Sequence, residues 1–351
     1  MTATTISLKA LEEGSVPFST LEEAFGPTSL GILIVNDLPP RFAGLRRKLL
    51  SYASYLAQLP SEQLDALTNA AAHYEIGWSH GVEKLKDGRY DTMKGSFYVD
   101  CQSFYLNEPT TLDRPGEPSL TRGSGQNLWP PEDAIPGFRQ AFEELCTLLI
   151  NIGALVAKAI DLYAARKIPD YEEGFLERVV RTSHTPKARL LHYFPPASDS
   201  TPDEGEDEED SWCATHLDDG CLTALTSAMF VDESNALPPL TDRASPPALE
   251  VLPKSPDPKA GLYIRSREDA VVKVNIPEDS IAFQTGEALE KITSGRFRAV
   301  PHFVRGPNPT EAKVARNTLA LFMQPDLDEV IDKVAGLTYG KLVESIVEQH
   351  A

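Results

Sequence analysis

The spacing of apolar residues changes character about halfway along the chain. Before residue 185, the long periodic stretches repeat every three or four positions. Phe42, Leu45, Leu49, Tyr52 and Leu56 lie on one face of a helix predicted over residues 41–59. Pro60 ends it, and Ser61 with Gln63 opens a second helix reaching about residue 74. Phe138, Phe142, Leu145, Leu149, Ile152 and Val156 predict the longest helix, about residues 137–163, with Pro136 just before it, where a proline costs nothing. A helix this long with a wide apolar face is expected to pack along a sheet. Between these lie a short helical pattern at 21–25 and two strand-like runs, GILIV at 31–35 and SFYVDC at 96–101. Residues 77–91 read as loop, and 107–136 as an irregular surface excursion.

From about residue 186, short β-rich runs alternate with turn signals. Strands are predicted at 188–194, 212–215, 221–230, 249–251, 261–264, 271–274, 280–284, 297–304 and 317–324. Strands at this spacing indicate a β-sandwich or barrel. Residues 326–348 return to a helical pattern. The expected organisation is one domain over 1–351: a helical N-terminal region (1–185), a β core (186–325) and a C-terminal helix (326–351).

Composition narrows the partners more than the fold. Hydrophobic residues make up 41% and charged residues 24% of the 351, as in an ordinary soluble domain. The net charge is −19, which repels phosphate backbones and makes nucleic acid an unexpected partner. The most apolar stretch, 145–165, is interrupted by Asn151, Lys158 and Asp161, so no membrane span is expected. Four cysteines in a chain this long make no disulfide framework, and no secretory signal is visible; a cytoplasmic monomer is the expectation. Eight acidic residues crowd positions 199–210, either as a solvated loop or as a flap selecting a basic substrate.

The candidate chemistry lies in WCATHLDDGCLTAL, residues 212–225. On a strand, His216 and Asp218 point to one face. They would supply two thirds of a 2-His-1-carboxylate facial site, which holds Fe(II) and leaves positions open. By itself an HxD pair also fits a surface hairpin with a polar tip. Downstream, His302 sits in the strand-like FRAVPHFV and can reach the same point from a strand opposite. Cys213 and Cys221 flank the pair, but a zinc knuckle lacks its second closely spaced ligand pair. Arg316 and Thr318 are a second i, i+2 pair, in ARNTLALFMQP. A guanidinium plus a hydroxyl grips a carboxylate, and an Arg among apolar neighbours is costly unless an anion meets it.

In order, HLD at 216–218, GRFRAVPHFV around His302, and RNT followed by LALFMQP resemble the isopenicillin N synthase-like branch of the Fe(II)/2-oxoglutarate oxygenases. ARLLHYFPP, FQTGEALEKITSGRFRAVPH, KGSFYVD and NLWPPEDAIPGFRQAF extend the resemblance from about residue 30 to 325. It implies a mainly β fold with flanking helices, built on a double-stranded β-helix (jelly roll). It implies Fe(II) on His216, Asp218 and His302, and 2-oxoglutarate held by Arg316 and Thr318. It also implies the reaction, in which O2 and 2-oxoglutarate become succinate and CO2 while a small organic substrate is hydroxylated or desaturated. The chain departs from the pattern at three places. The interval from His302 to Arg316 is longer than in plant-type members, with GPNPTEAK as the extra hairpin tip. Thr318 replaces the usual Ser. His192-Tyr193-Phe194-Pro195 replaces Asn-Tyr-Tyr-Pro, so Tyr193 or His192 becomes the candidate for the co-substrate bond of the missing tyrosine. Two alternatives stay open: an oxidase that uses no 2-oxoglutarate, and a non-catalytic jelly-roll binding protein. The substrate-binding residues are unknown at this level.

Overall fold

The structure, a computed structural model, describes residues 2–83, 88, 90–106, 126–196, 212–240, 246–267, 269–307 and 313–350. The acidic run at 199–210 lies outside them. In chain order the elements are β1 (Thr4–Ser7), α1 (Leu8–Glu12), α2 (Phe18–Phe25), β2 (Ile32–Asn36), α3 (Arg41–Ala57), α4 (Ser61–Ala66), β3 (Gly77–His80), β4 (Lys94–Asp100), α5 (Gln102–Tyr105), α6 (Phe138–Lys167) and α7 (Phe175–Thr182). The second half contains β5 (Lys187–Tyr193), β6 (Cys213–His216), β7 (Leu222–Thr226), β8 (Met229–Asp232), β9 (Val251–Leu252), β10 (Gly261–Arg265), β11 (Val271–Val274) and β12 (Ile281–Thr285). It continues through α8 (Glu287–Ile292), β13 (His302–Arg305), β14 (Val314–Met323), β15 (Val330–Asp332), β16 (Leu337–Thr338) and α9 (Tyr339–His350).

Mostly sheet with flanking helices, the chain forms two principal sheets. The larger has the order β1-β2-β12-β7-β14-β5-β4-β3, with β8 and β9 attached beside β14. The smaller has the order β11-β10-β13-β6. Small apolar clusters fill the space between them. Ile32, Ile34 and Ala282 of the large sheet meet Ile264 and Val274 of the small one. Leu191, Tyr193 and Ala320 meet Val304 and Trp212. The main core lies on the outer side of the large sheet, under α6. Of the most apolar window of α6, 72% is buried inside the protein, so its composition is explained by packing. At Gly153 the helix approaches the sheet closely, and a Cβ there would displace the end of the Met323 side chain and press on Phe283.

Several expectations change. The helix from residue 61 stops at Ala66 instead of running to 74, since Asn69 caps a turn and His73 and Tyr74 take left-handed φ values of 51° and 62°. Residues 77–80, expected as loop, are a strand paired with β4. Gly77 starts it at a φ of 72°, where a Cβ would strike the Leu67 carbonyl. The N-terminal region is not purely helical, because β1–β4 all join the large sheet. The strand expected at 221–230 splits in two. Arg46 of α3, buried in the core, takes the carbonyls of Ser227 and Ala228 out of the ladder with bonds of 2.9–3.1 Å. The strand expected from 297 begins only at His302. Residues 326–338 form a hairpin before α9; Gly336 (φ 60°) and the Asp332 side chain, which accepts from Val334 and Ala335, make the turn.

Candidate metal centre and its cavity

β6 lies at the edge of the small sheet and pairs antiparallel with β13, so that His216 stands directly beside His302. The two histidines come from adjacent strands, not opposite ones, and their ring centroids are 4.2 Å apart. Asp218 is not on the strand. The chain leaves β6 at His216, exposes Leu217, and turns back at Asp218. The backbone at the start of α8 holds that turn, with Glu287 N–H donating to the Asp218 carbonyl (2.8 Å) and Ala288 N–H to that of Asp219 (3.0 Å).

The ligand atoms of His216, Asp218 and His302 lie within 4.8 Å of one another. Asp218 Oδ1 is 3.7 Å from His216 Nε2 and 3.8 Å from His302 Nε2. Donors about 2.0–2.2 Å from a common ion are separated by roughly 3–3.5 Å, so small side-chain rotations close the triad. The outer atoms are already engaged. Thr223 Oγ1 donates to Asp218 Oδ2 at 2.7 Å. His216 Nδ1 lies 2.8 Å from the Ala214 carbonyl, which fixes Nε2 as the free nitrogen. His302 Nδ1 meets the Gln284 side chain at 2.5 Å and the Val300 carbonyl at 3.3 Å. Burial and the neighbouring His216 hold His302 below the usual imidazole range. Partial desolvation works against the charge of His216, but the negative charges of the adjacent Cys213 thiolate and Asp218 carboxylate outweigh it and raise His216 to about 9. Cys213 Sγ lies 3.8 Å from that ring, whereas Cys221 is buried in the main core.

A cavity of about 520 Å³ opens between the sheets, lined by the triad together with Arg316, Thr318 and Tyr193. This volume is within the range of small-molecule sites. Arg316 is 6% exposed, and its Nε and Nη1 are buried without a hydrogen-bond partner. Its guanidinium lies over the Tyr193 ring, 4.9 Å from the centroid. Thr318 donates to the Thr226 carbonyl at 3.2 Å, and its oxygen can still accept. Between them Asn317 faces the other way. Its Nδ2 donates to Leu50 O and Ser54 Oγ of α3, both at 2.8 Å. His192 pairs with Asn317 across the ladder and meets its Oδ1 at 2.8 Å. His192 therefore sits on the face of β5 opposite Tyr193, 1% exposed and turned towards α3, away from the cavity. The role sketched for His192 at the co-substrate is corrected on this point: strand alternation puts Tyr193 inside and His192 outside.

Thr223 and Gln284 were not singled out in the sequence. Their signal is a polar residue at an inward position of an apolar strand, LTALT and IAFQT. Arg189, which also lines the cavity, was likewise unread.

No family model matches this chain. Among curated proteins, kihadalactone A synthase LFS from Citrus sinensis is 23% identical over 209 residues. The match spans 59% of this chain and half the length of that protein. Similar solved structures include a 2OG-Fe(II) oxygenase family protein from Caulobacter crescentus, with a TM-score of 0.67 and 18% identity over 99% of both chains. A full-length protein from Neurospora crassa, in complex with alpha-KG, has a TM-score of 0.65 and 18% identity over 98% of this chain and 95% of its own. JOX2, in complex with 2OG, Fe and JA, has a TM-score of 0.58 and 13% identity over 93% and 76%. These likenesses establish a shared fold.

Proposed function

We propose that this chain is an Fe(II)/2-oxoglutarate-dependent oxygenase that oxidises a small organic substrate with O2, by hydroxylation or desaturation, releasing succinate and CO2. The observation that carries the reading is Arg316. A buried guanidinium with two unbonded donors faces the same cavity as a 2-His-1-carboxylate triad. Such a group is costly without an anion, and the carboxylate of 2-oxoglutarate distant from its keto acid end supplies one. Arg316 binds that carboxylate by its fork, and Thr318 adds a hydroxyl. His216, Asp218 and His302 hold the iron. Thr223 and Gln284 fix the outer atoms of Asp218 and His302. Tyr193 supports the Arg316 guanidinium from below. Iron with 2-oxoglutarate supplies the two-electron oxidation of a C–H bond by O2. The apolar part of the wall, including Leu191 and Leu225, excludes water from the reacting centre.

The alcove between two facing sheets, and the likeness to oxygenase structures over nearly the whole chain, support a jelly-roll core. One apolar cluster drawing on residues from Ile6 to Leu342 supports a single domain. The same reading takes the protein as a cytoplasmic monomer with neither nucleic acid nor membrane as partner. The charge of −19 and four free cysteines support that.

The test is anaerobic addition of Fe(II) and then 2-oxoglutarate. A visible metal-to-ligand charge-transfer band is expected, followed by succinate release on admitting O2. An oxidase would bind iron but no 2-oxoglutarate. Absence of both the band and 2-oxoglutarate binding overturns the proposal.

A further inference from the structure

We infer that Arg189 forms the substrate-recognition subsite of this cavity, and that the group it takes is a carbonyl-type oxygen on an uncharged molecule. This rests on the oxygenase reading and names the substrate class of the same site. Arg189, Leu191 and Tyr193 are alternate residues of β5 and line the cavity together. Arg189 stands opposite Ala320 in the ladder, and Tyr193 opposite Arg316. Four residues of strand separate the two arginine rows, about 13 Å along the sheet. Arg189 is therefore a separate cation from the one assigned to 2-oxoglutarate. Its row adjoins the Phe322–Thr223 pair, and Thr223 holds Asp218. Arg189 thus lies at the iron end of the cavity, where a substrate must sit, and the small Ala320 beside it leaves room.

The guanidinium is pre-positioned from one edge. Nε and Nη2 donate to Ser96 Oγ at 3.0 and 2.8 Å, Nη2 also meets Glu83, and the Tyr98 ring lies 4.9 Å away. Nη1 makes no hydrogen bond among the described residues, although the side chain is only 16% exposed. Charge selects the class of ligand. Glu83 and Asp91 offset Arg189 and Lys94, through contacts of 2.5–3.0 Å. Fe(II), Asp218 and Arg316 together offset the two charges of 2-oxoglutarate. Elsewhere on the lining Arg46 is paired with Glu278, Lys273 has Asp257 nearby and Lys254 is exposed to solvent. A substrate anion beside Arg189 would then lack a buried partner cation, whereas a neutral acceptor satisfies Nη1 without that cost.

The probe is a panel of neutral lactams, lactones and imides of one or two rings, each with its ring-opened carboxylate. It is titrated anaerobically into the full-length protein loaded with Fe(II) and 2-oxoglutarate, with the charge-transfer band as reporter. Neutral members should shift the band, and their carboxylates should bind at least about tenfold more weakly. Arg189→Met should weaken the neutral members by roughly ten- to a hundredfold, the worth of a hydrogen bond to a charged group. The 2-oxoglutarate affinity should stay within about twofold. Because Arg189→Met strands Glu83, the pair Arg189→Met with Glu83→Gln is measured alongside and should show the same loss. Preference for the carboxylates, no response to any neutral member, or unchanged binding in the double variant overturns the inference. A loaded wild-type protein without a band overturns the oxygenase reading, and this inference with it.

Discussion

Replacing Arg316 by Met should leave apo stability near wild type while ligand binding falls steeply. Met has a similar reach, no charge and no donors. In the unliganded protein the guanidinium keeps Nε and Nη1 buried without partners. A buried unsatisfied polar group costs about 1–3 kcal/mol. Its contact with the Tyr193 ring returns about 0.5–2 kcal/mol. Removing the charge should therefore leave the apo protein between about 1 kcal/mol less and about 2.5 kcal/mol more stable than wild type. In the presence of 2-oxoglutarate the variant is the clear loser. Truncating one partner of a buried charge pair costs about 2–5 kcal/mol, or roughly 30- to several-thousand-fold in affinity. Metal affinity should not change, because Arg316 lies well along β14 from Phe322, the ladder partner of Thr223.

The assay pairs urea denaturation of the apo protein with calorimetric titration of 2-oxoglutarate into the Co(II)-loaded protein. Arg316→Lys is the control. It keeps the charge and loses the fork, and should fall between wild type and Met in affinity. A Met variant with wild-type 2-oxoglutarate affinity refutes the carboxylate role. One with an apo form several kcal/mol less stable shows that the guanidinium is well paired before ligand arrives.

Gln284→Leu should lower divalent-metal affinity by roughly ten- to a hundredfold without unfolding the protein, since it leaves His302 Nδ1 only the longer bond to Val300; competition with a chelator measures this. Thr223→Val should weaken metal binding less than Gln284→Leu, by freeing Asp218 Oδ2 while leaving Oδ1 in place, and the same competition ranks the two. Burial holds His192 down to about 4, against about 6.5 in an unfolded chain, so between these values the unfolded state binds more protons and stability falls as pH drops through the window. About 3 kcal/mol should be lost across it, and His192→Gln, measured by urea denaturation at several pH values, should flatten that slope.

The Arg-x-Thr pair was legible because its geometry is local, and the three candidate metal ligands because their residue types and order match a known pattern. Strand alternation brings Arg316 and Thr318 to one face whatever the rest of the chain does. The same rule, applied to His192 and Tyr193, already puts them on opposite faces. The structure adds which face is the cavity, a tertiary fact no local pattern contains. His216 and Asp218 converge for a reason different from alternation, since Asp218 is placed by a turn tied to α8. That helix is six residues long and too short to register as a periodic pattern. Gly77 and Trp78 read as loop because glycine and charge dominate the following residues, yet pairing to β4 makes them a strand. The tail after residue 326 misled in the opposite sense, its helical spacing being overridden by the turn at Gly336.

The division of labour between the sheets explains why a fold of this kind can serve such a site. All the candidate iron ligands come from the β6–β13 edge of the small sheet or the turn that follows it. The proposed anion grip comes from β14, in the interior of the large sheet, where Asn317 ties the strand to α3 from behind. Thr223 and Gln284 reach across from the large sheet to hold Asp218 and His302. The metal end is thus built on an edge strand and a turn, elements that can adjust by the few tenths of an ångström needed to close on an ion. The proposed carboxylate end is built on a ten-residue strand buried along most of its length, which holds Arg316 at a fixed distance from the triad. A ligand that chelates the metal at one end and pairs with Arg316 at the other spans both sheets, so its length is measured by the gap between them.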